Sequence, residues 1–268
     1  MKTYDKVLLV GCGNMAGAML TGWIRGGIPP ETFTVMNPVP TDVPDGVVHH
    51  MEMPQNGDFD AILLGVKPQI LDKVVPDIGG LHKDAVMLSI LAGTQLDTLA
   101  EKFPQAKAVV RVMPNLAVAL GKAPIALSSQ GLDDAEMARV KAFMDPLGTP
   151  EWVEESEFDL VTALAGSGPG FVYRFIAGLA QAAHDLGLPA DQAERLSVAM
   201  VEGAAALAAD SEHGAAELAR RVASPGGVTQ AGLDVLDEGG RMVALMTDTL
   251  RAARDRSLEM AEEARAGA

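Results

Sequence analysis

A single cysteine, Cys12, holds all the thiol chemistry of this chain, which excludes an internal disulfide or a cysteine-rich metal site and fits a reducing compartment. Basic residues are scarce too: 21 Lys and Arg stand against 36 Asp and Glu, for a net charge of −15. No basic run exceeds a pair, so a nucleic-acid partner is not expected, because phosphate backbones are bound by clustered cations. No apolar run approaches the ~20 residues that span a bilayer, and the first six residues lead straight into a strand. The expectation is a cytoplasmic protein with no membrane partner. The histidines are an adjacent pair, His49 and His50, and the isolated His82, His184 and His213, a pattern that predicts no metal site. Aromatic residues are only 4% of the chain, yet 48% of its 268 residues are apolar, enough for one large core or two modest ones.

Up to about Trp152, short apolar runs alternate with amphipathic segments. Strands are read at 6–10, 32–36, 61–65, 86–91 and 108–112, with further ones at 124–128 and near 151–153; helices are read at 14–25 and 133–144. That alternation predicts an α/β fold with an N-terminal Rossmann-type doubly wound parallel sheet over 1–153. The acidic stretch Glu154-Glu155-Ser156-Glu157 reads as a solvated boundary without catalytic duty. Beyond it, helical patterns at 169–186, 190–209 and 240–265 predict a C-terminal all-helical domain over 154–268, rich in Ala and Gly. Such small residues permit close helix approach, within one chain or between two copies.

The first strand runs directly into Gly11-Cys12-Gly13-Asn14-Met15-Ala16, a Gly-x-Gly-x-x-Ala turn followed by a helix. In a dinucleotide site the first glycine makes the turn, the second lets backbone approach a pyrophosphate, and the helix N-terminus faces the phosphates. Gly11, Gly13, Asn14 and Met15 are therefore candidate cofactor residues. Other candidates follow later strands, where open α/β sheets bind ligands: Val66, Lys67 and Pro68, then Leu91, Ala92 and Gly93, with Lys67 a candidate contact to phosphate or ribose. The second strand ends at Asn37 rather than at the Asp or Glu that would hold the ribose hydroxyls of NAD. Nothing at that end repels a 2′-phosphate, so NADP(H) is the expected cofactor and NADH the second candidate.

A third feature lies at 224–229, Ser-Pro-Gly-Gly-Val-Thr, between two helix-forming segments. Gly226 and Gly227 allow backbone angles closed to other residues, and the helix after them points unpaired N–H groups at whatever sits there. Ser224, Gly226, Gly227 and Thr229 thus read either as a site for a small carboxylate or as an ordinary turn in which Ser224 caps the helix and Pro225 starts it.

Taken in order, Gly11-Cys12-Gly13-Asn14-Met15, Val66-Lys67-Pro68, Arg111-Val112-Met113-Pro114-Asn115, Ala165-Gly166-Ser167-Gly168-Pro169-Gly170 and Ala223-Ser224-Pro225-Gly226-Gly227-Val228-Thr229 resemble the pyrroline-5-carboxylate reductases over nearly the whole chain. The resemblance implies reduction of a cyclic imine to proline with a nicotinamide cofactor, and helical domains that interlock as a homodimer. It implies that Glu212 shares the substrate pocket, that Thr229 bonds the ring nitrogen as the catalytic contact, and that Asn115 lies beside the nicotinamide. Two departures stand out: His213-Gly214-Ala215 where the family usually has His-Pro-Gly, and Ala219-Arg220 where it usually has Lys-Asp. Alternatives remain a related imine or hydroxyacid reductase and a catalytically weak NADPH-binding regulator. Against the hydroxyacid enzyme, residues 155–268 contain no lysine to serve as its catalytic base.

Overall fold

The computed structural model describes residues 3–266, with side chains through 263. Strand β1 (Val7–Val10), strand β2 (Phe33–Met36), strand β4 (Ala61–Leu64) and strand β5 (Val86–Ser89) are short runs buried almost throughout, as strands covered on both faces must be. With β3 (Val48–His50), β6 (Ala108–Met113), β7 (Ala123–Gln130) and β8 (Gly148–Trp152) they form one sheet in the order β3-β2-β1-β4-β5-β6-β7-β8. The first six strands are parallel in the doubly wound order 3-2-1-4-5-6, so the strand order reverses between β1 and β4.

Two features differ from the sequence expectation. β3 has no apolar run and was not anticipated; it is a three-residue edge strand, exposed at Val48 and His50, held by pairing to β2. β7 runs antiparallel to β6 and carries β8 parallel to itself, so the sheet is mixed at this edge. An apolar run reads the same in either direction, which is why the sequence pattern gave no warning.

Helix α1 (Asn14–Arg25) buries Ala16, Met19, Leu20 and Trp23, spaced i, i+3, i+4, i+7. Trp23 stacks on Phe143 (centroids 4.6 Å apart) and Phe33 (5.4 Å), and its indole N–H donates to the Phe143 carbonyl at 2.8 Å. Full burial with its one polar group satisfied makes Trp23 the anchor of this face. The opposite face is covered by α2 (Leu71–Ile78) and α3 (Leu96–Lys102), packed on Leu8, Val10, Ile62 and Leu64. Helix α4 (Asp134–Met144), capped by the Asp133 carboxylate on the Glu136 N–H, brings Val140, Phe143 and Met144 into the Trp23 cluster. A short α5 (Phe158–Val161) and a π-turn at Thr162–Gly166 follow.

The chain divides into two compact units, 1–167 with 252–268, and 168–251. The second is all-helical: α6 (Gly168–Asp185), α7 (Ala190–Asp210), α8 (Ala215–Val222), α9 (Val228–Asp237) and the first part of α10 (Arg241–Ala266). Gly187, at φ +112°, ends α6 as predicted, and Pro189 caps α7. Between Gly168 and Arg251 only Ala193 and Ser197 are buried, while Tyr173, Leu207, Val235 and Val243 are each about 70% exposed.

Candidate functional site

The strand register draws a line across the sheet through His50, Met36, Val10, Leu64, Ser89 and Arg111. Every cofactor residue expected from the sequence lies just past it at the carboxyl edge: Gly11 to Met15 after β1, Asn37 after β2, Val66 to Pro68 after β4, Leu91 to Gly93 after β5, and Asn115 after β6. The edge is closed by backbone bonds, Gly11 N–H to Met36 O at 2.8 Å and Gly65 N–H to Val10 O at 2.9 Å.

The two glycines of the first turn do different work. Gly11 sits at φ +87°, and a Cβ there would lie 2.9 Å from Val66 Cγ1 and 3.0 Å from the Gly65 carbonyl, so this glycine is required by the fold. Gly13 has an ordinary φ of −79°, and a Cβ there would meet nothing within 4 Å. Its side faces open space. The first helical bond of α1 is Gly17 N–H to Gly13 O, and no side chain caps the helix, so the N–H groups of Asn14 to Ala16 have no helical partner. An uncapped helix start beside an open glycine fits a pyrophosphate. Burial pushes the Cys12 thiol up, so a neutral thiol shares this turn.

Around the rest of the edge, Asn37 accepts from Cys12 N–H at 3.4 Å and donates to Val39 O at 3.2 Å, tying the first turn to the second. The His49 Nε2 lies 3.2 Å from Asn37 O. Lys67 is exposed, with no side-chain partner among the described residues, and stands before a short 3-10 turn, Pro68–Ile70. Gly93 is buried at φ +73°, where a Cβ would come 3.3 Å from Met260 O on α10. Asn115 is 5% exposed; its Oδ1 accepts from Ala117 N–H and its Nδ2 donates to Ala165 O, both at 2.9 Å. This amide clamps the end of β6 to the π-turn.

The sequence reading of Glu155 as a solvated charge is corrected. Arg111, 3% exposed on β6, donates to Glu155 Oε1 at 2.7 Å and lies 3.8 Å from the Phe158 ring centroid. The same carboxylate oxygen accepts from Leu96 N–H. A charge run looks solvated when its buried partner stands 44 residues away in sequence.

All the expected substrate residues fall in the second unit. Ser224 O accepts from Gly227 N–H at 2.9 Å, closing a turn in which Gly226 takes φ +71°. Gly227, not Ser224, is the N-cap of α9, and a Cβ on it would collide with the Ser224 side chain. With Ala231 N–H on Gly227 O as the first helical bond, the N–H groups of Val228, Thr229 and Gln230 are open. The Thr229 hydroxyl is exposed and has no hydrogen-bond partner among the described residues. Glu212 lies exposed between α7 and α8, and no hydrogen bond joins it to this loop. Arg220 and Arg221 both bond Glu217, holding its carboxyl below the usual range, Arg220 foremost. With both guanidinium groups engaged, the loop offers an anion its open backbone N–H groups and the Thr229 hydroxyl.

A family model described as pyrroline-5-carboxylate reductase dimerisation matches residues 155–260, and one described as NADP oxidoreductase, coenzyme F420-dependent, matches residues 6–93. Pyrroline-5-carboxylate reductase 3 of Danio rerio is 34% identical, over 95% of this chain and 91% of its own. Pyrroline-5-carboxylate reductase 2 of Bacillus subtilis is 32% identical, over 96% of each. The chain belongs to the pyrroline-5-carboxylate reductase family. The fold agrees: the family's structure from Coxiella burnetii superposes with a TM-score of 0.88 at 27% identity, covering 97% of this chain and 99% of that one. The structure from Plasmodium falciparum, solved with NADP bound, gives 0.82 at 24% identity over 96% and 98%.

Against that family pattern, both departures sit at α8. Gly214 caps the helix and Ala215 starts it, positions where the usual Pro and Gly would shape the same entry; Arg220 turns outward onto Glu217.

Proposed function

We propose that this chain reduces 1-pyrroline-5-carboxylate to L-proline with NADPH, NADH serving as the weaker donor. The observation that carries the reading is the pairing of an open Gly13 before an uncapped α1 with a Ser224–Thr229 turn whose following helix also starts uncapped. One feature takes a dinucleotide's phosphates and the other a small carboxylate. Residues 1–153 act as the dinucleotide-binding domain and 154–268 as the substrate-binding and dimerisation domain.

When bound, the reduced nicotinamide supplies a hydride to the imine carbon, and a proton completes the amine. The chain's own residues position and polarise. Gly11, Gly13, Asn14 and Met15 hold the pyrophosphate; Asn37, Val66, Lys67, Pro68, Leu91, Ala92, Gly93 and Asn115 line the rest of the cofactor's path. Ser224, Gly226 and Gly227 shape the turn that seats the carboxylate on the first N–H groups of α9, and Glu212 borders the same pocket. Thr229 accepts a hydrogen bond from the protonated ring nitrogen, favouring the iminium, which is the more electrophilic form. Positioning of this kind supplies most of the rate in such a reaction.

The working unit is a homodimer at least. A helical unit with two buried residues and many exposed apolar ones buries too little to stand alone, and a second copy interlocked with it supplies the missing core. Among the described residues no helix is long and apolar enough to cross a membrane; with one cysteine, we assign the chain to the cytoplasm.

NADPH oxidation followed with pyrroline-5-carboxylate, beside its six-membered piperideine analogue, tests the assignment. Turnover with the five-membered ring supports it; turnover with the larger ring alone points to a related imine reductase, and NADPH binding without turnover to a regulator.

A further inference from the structure

From Gly26 to Val66 the chain contains no lysine and no arginine. That span includes the end of β2, beside which the adenosine ribose of a dinucleotide lies in sheets of this kind and where a 2′-phosphate needs a cation. The side chains in the span able to carry positive charge are His49 and His50. β3 pairs Val35 with His49 and Met36 with His50, so the two imidazoles leave opposite faces of the sheet. Val35 packs in the cluster under α1, and His49 shares that face, the one whose helix N-terminus meets the phosphates. His49 is half-buried and fixed by Nε2 on Asn37 O, while His50 is exposed.

We propose that His49, braced on Asn37, is the side chain that distinguishes a 2′-phosphorylated dinucleotide from an unphosphorylated one in this protein. The proposal rests on the reductase reading above. With Nε2 donating to Asn37 O, the second ring nitrogen is left to meet the phosphate, as a donor once protonated. The elements around His49 carry few other titratable groups: none on β2, Arg25 at the far end of α1, Asp42 and Asp45 on the loop between β2 and β3, Glu31 before β2, Glu52 after β3, and the Cys12 thiol, which burial keeps neutral. The acids oppose a phosphate, so the contrast between the two dinucleotides falls on the histidine.

Calorimetric titration of NADP+ and of NAD+ into the whole protein tests this without turnover. His49→Gln, whose amide can still donate to Asn37 O, should lower the ratio of NADP+ to NAD+ affinity about tenfold. NAD+ affinity should stay unchanged in that variant, which also shows that it folds, and His50→Gln should behave as wild type. A His49→Gln protein with the wild-type ratio would overturn the proposal. Binding of neither dinucleotide by the wild type would instead overturn the reductase reading beneath it.

Discussion

Replacing each glycine of the first turn by alanine should separate what the fold needs from what the cofactor needs. At Gly11, alanine must adopt φ +87°, a left-handed conformation costing about 1–2 kcal/mol. Its Cβ would also press on Val66 Cγ1 at 2.9 Å and on the Gly65 carbonyl, a backbone group, at 3.0 Å. Overpacking of this kind adds about 1–3 kcal/mol, so Gly11→Ala should lose roughly 2–5 kcal/mol of stability. At Gly13, φ is −79° and the new methyl meets open space. Reduced freedom of the unfolded chain favours alanine there by about 0.4–1 kcal/mol, and loss of a preferred N-cap residue opposes it by a similar amount. Gly13→Ala should therefore fold within about 1 kcal/mol of wild type. Its methyl stands where a pyrophosphate must approach backbone, and losing one hydrogen bond to a charged group weakens NADPH binding by roughly ten- to a hundredfold. Thermal unfolding with and without NADPH reads both effects: the wild type gains about 2.7 kcal/mol at a hundred times Kd. Gly11→Ala should melt early without ligand. Gly13→Ala should melt like wild type without ligand and gain much less from NADPH. A Gly13→Ala protein stabilised by NADPH as fully as wild type would refute the assignment of this turn.

Thr229→Val should lower kcat/KM for the imine by roughly ten- to a hundredfold while NADPH affinity stays put, and steady-state kinetics beside a binding titration checks both. Glu155→Gln should destabilise by about 3–5 kcal/mol in denaturant titration, because it leaves the buried Arg111 guanidinium without its counter-charge; Arg111→Met, which leaves a carboxylate one-third exposed, should lose less. Tyr4→Phe should be neutral or stabilising, since the buried phenol has no hydrogen-bond partner among the described residues. Burial also raises the Tyr4 phenol above its usual 10.0, so native stability is full below that pH and declines above it as the unfolded chain ionises; Tyr4→Phe should flatten that alkaline decline. Leu207→Glu with Val243→Glu should convert a dimer to monomer in light scattering, with activity lost alongside.

Much of the cofactor edge was readable in the sequence because local rules govern it. Val7–Val10 is apolar, Gly11 must turn, and Ala16, Met19, Leu20 and Trp23 repeat at helical spacing, so strand, turn and helix are each set within a few residues. What escaped depends on partners distant in sequence. Val48–His50 becomes a strand only because β2 pairs with it, and Glu155 becomes an ion-pair partner only because Arg111 is buried behind it. The 224–229 loop was legible as two alternatives, a capped turn or a carboxylate seat. The structure supplies the turn, with Gly227 as cap in place of Ser224, and leaves the first N–H groups of α9 open.

The most direct test of the account is transfer of a labelled hydride. Wild-type protein incubated with pyrroline-5-carboxylate and NADPH deuterated at the transferring position should yield proline carrying one deuterium on the former imine carbon, with one NADP+ formed per proline. Proline without label, or no proline while NADPH remains bound, would contradict it.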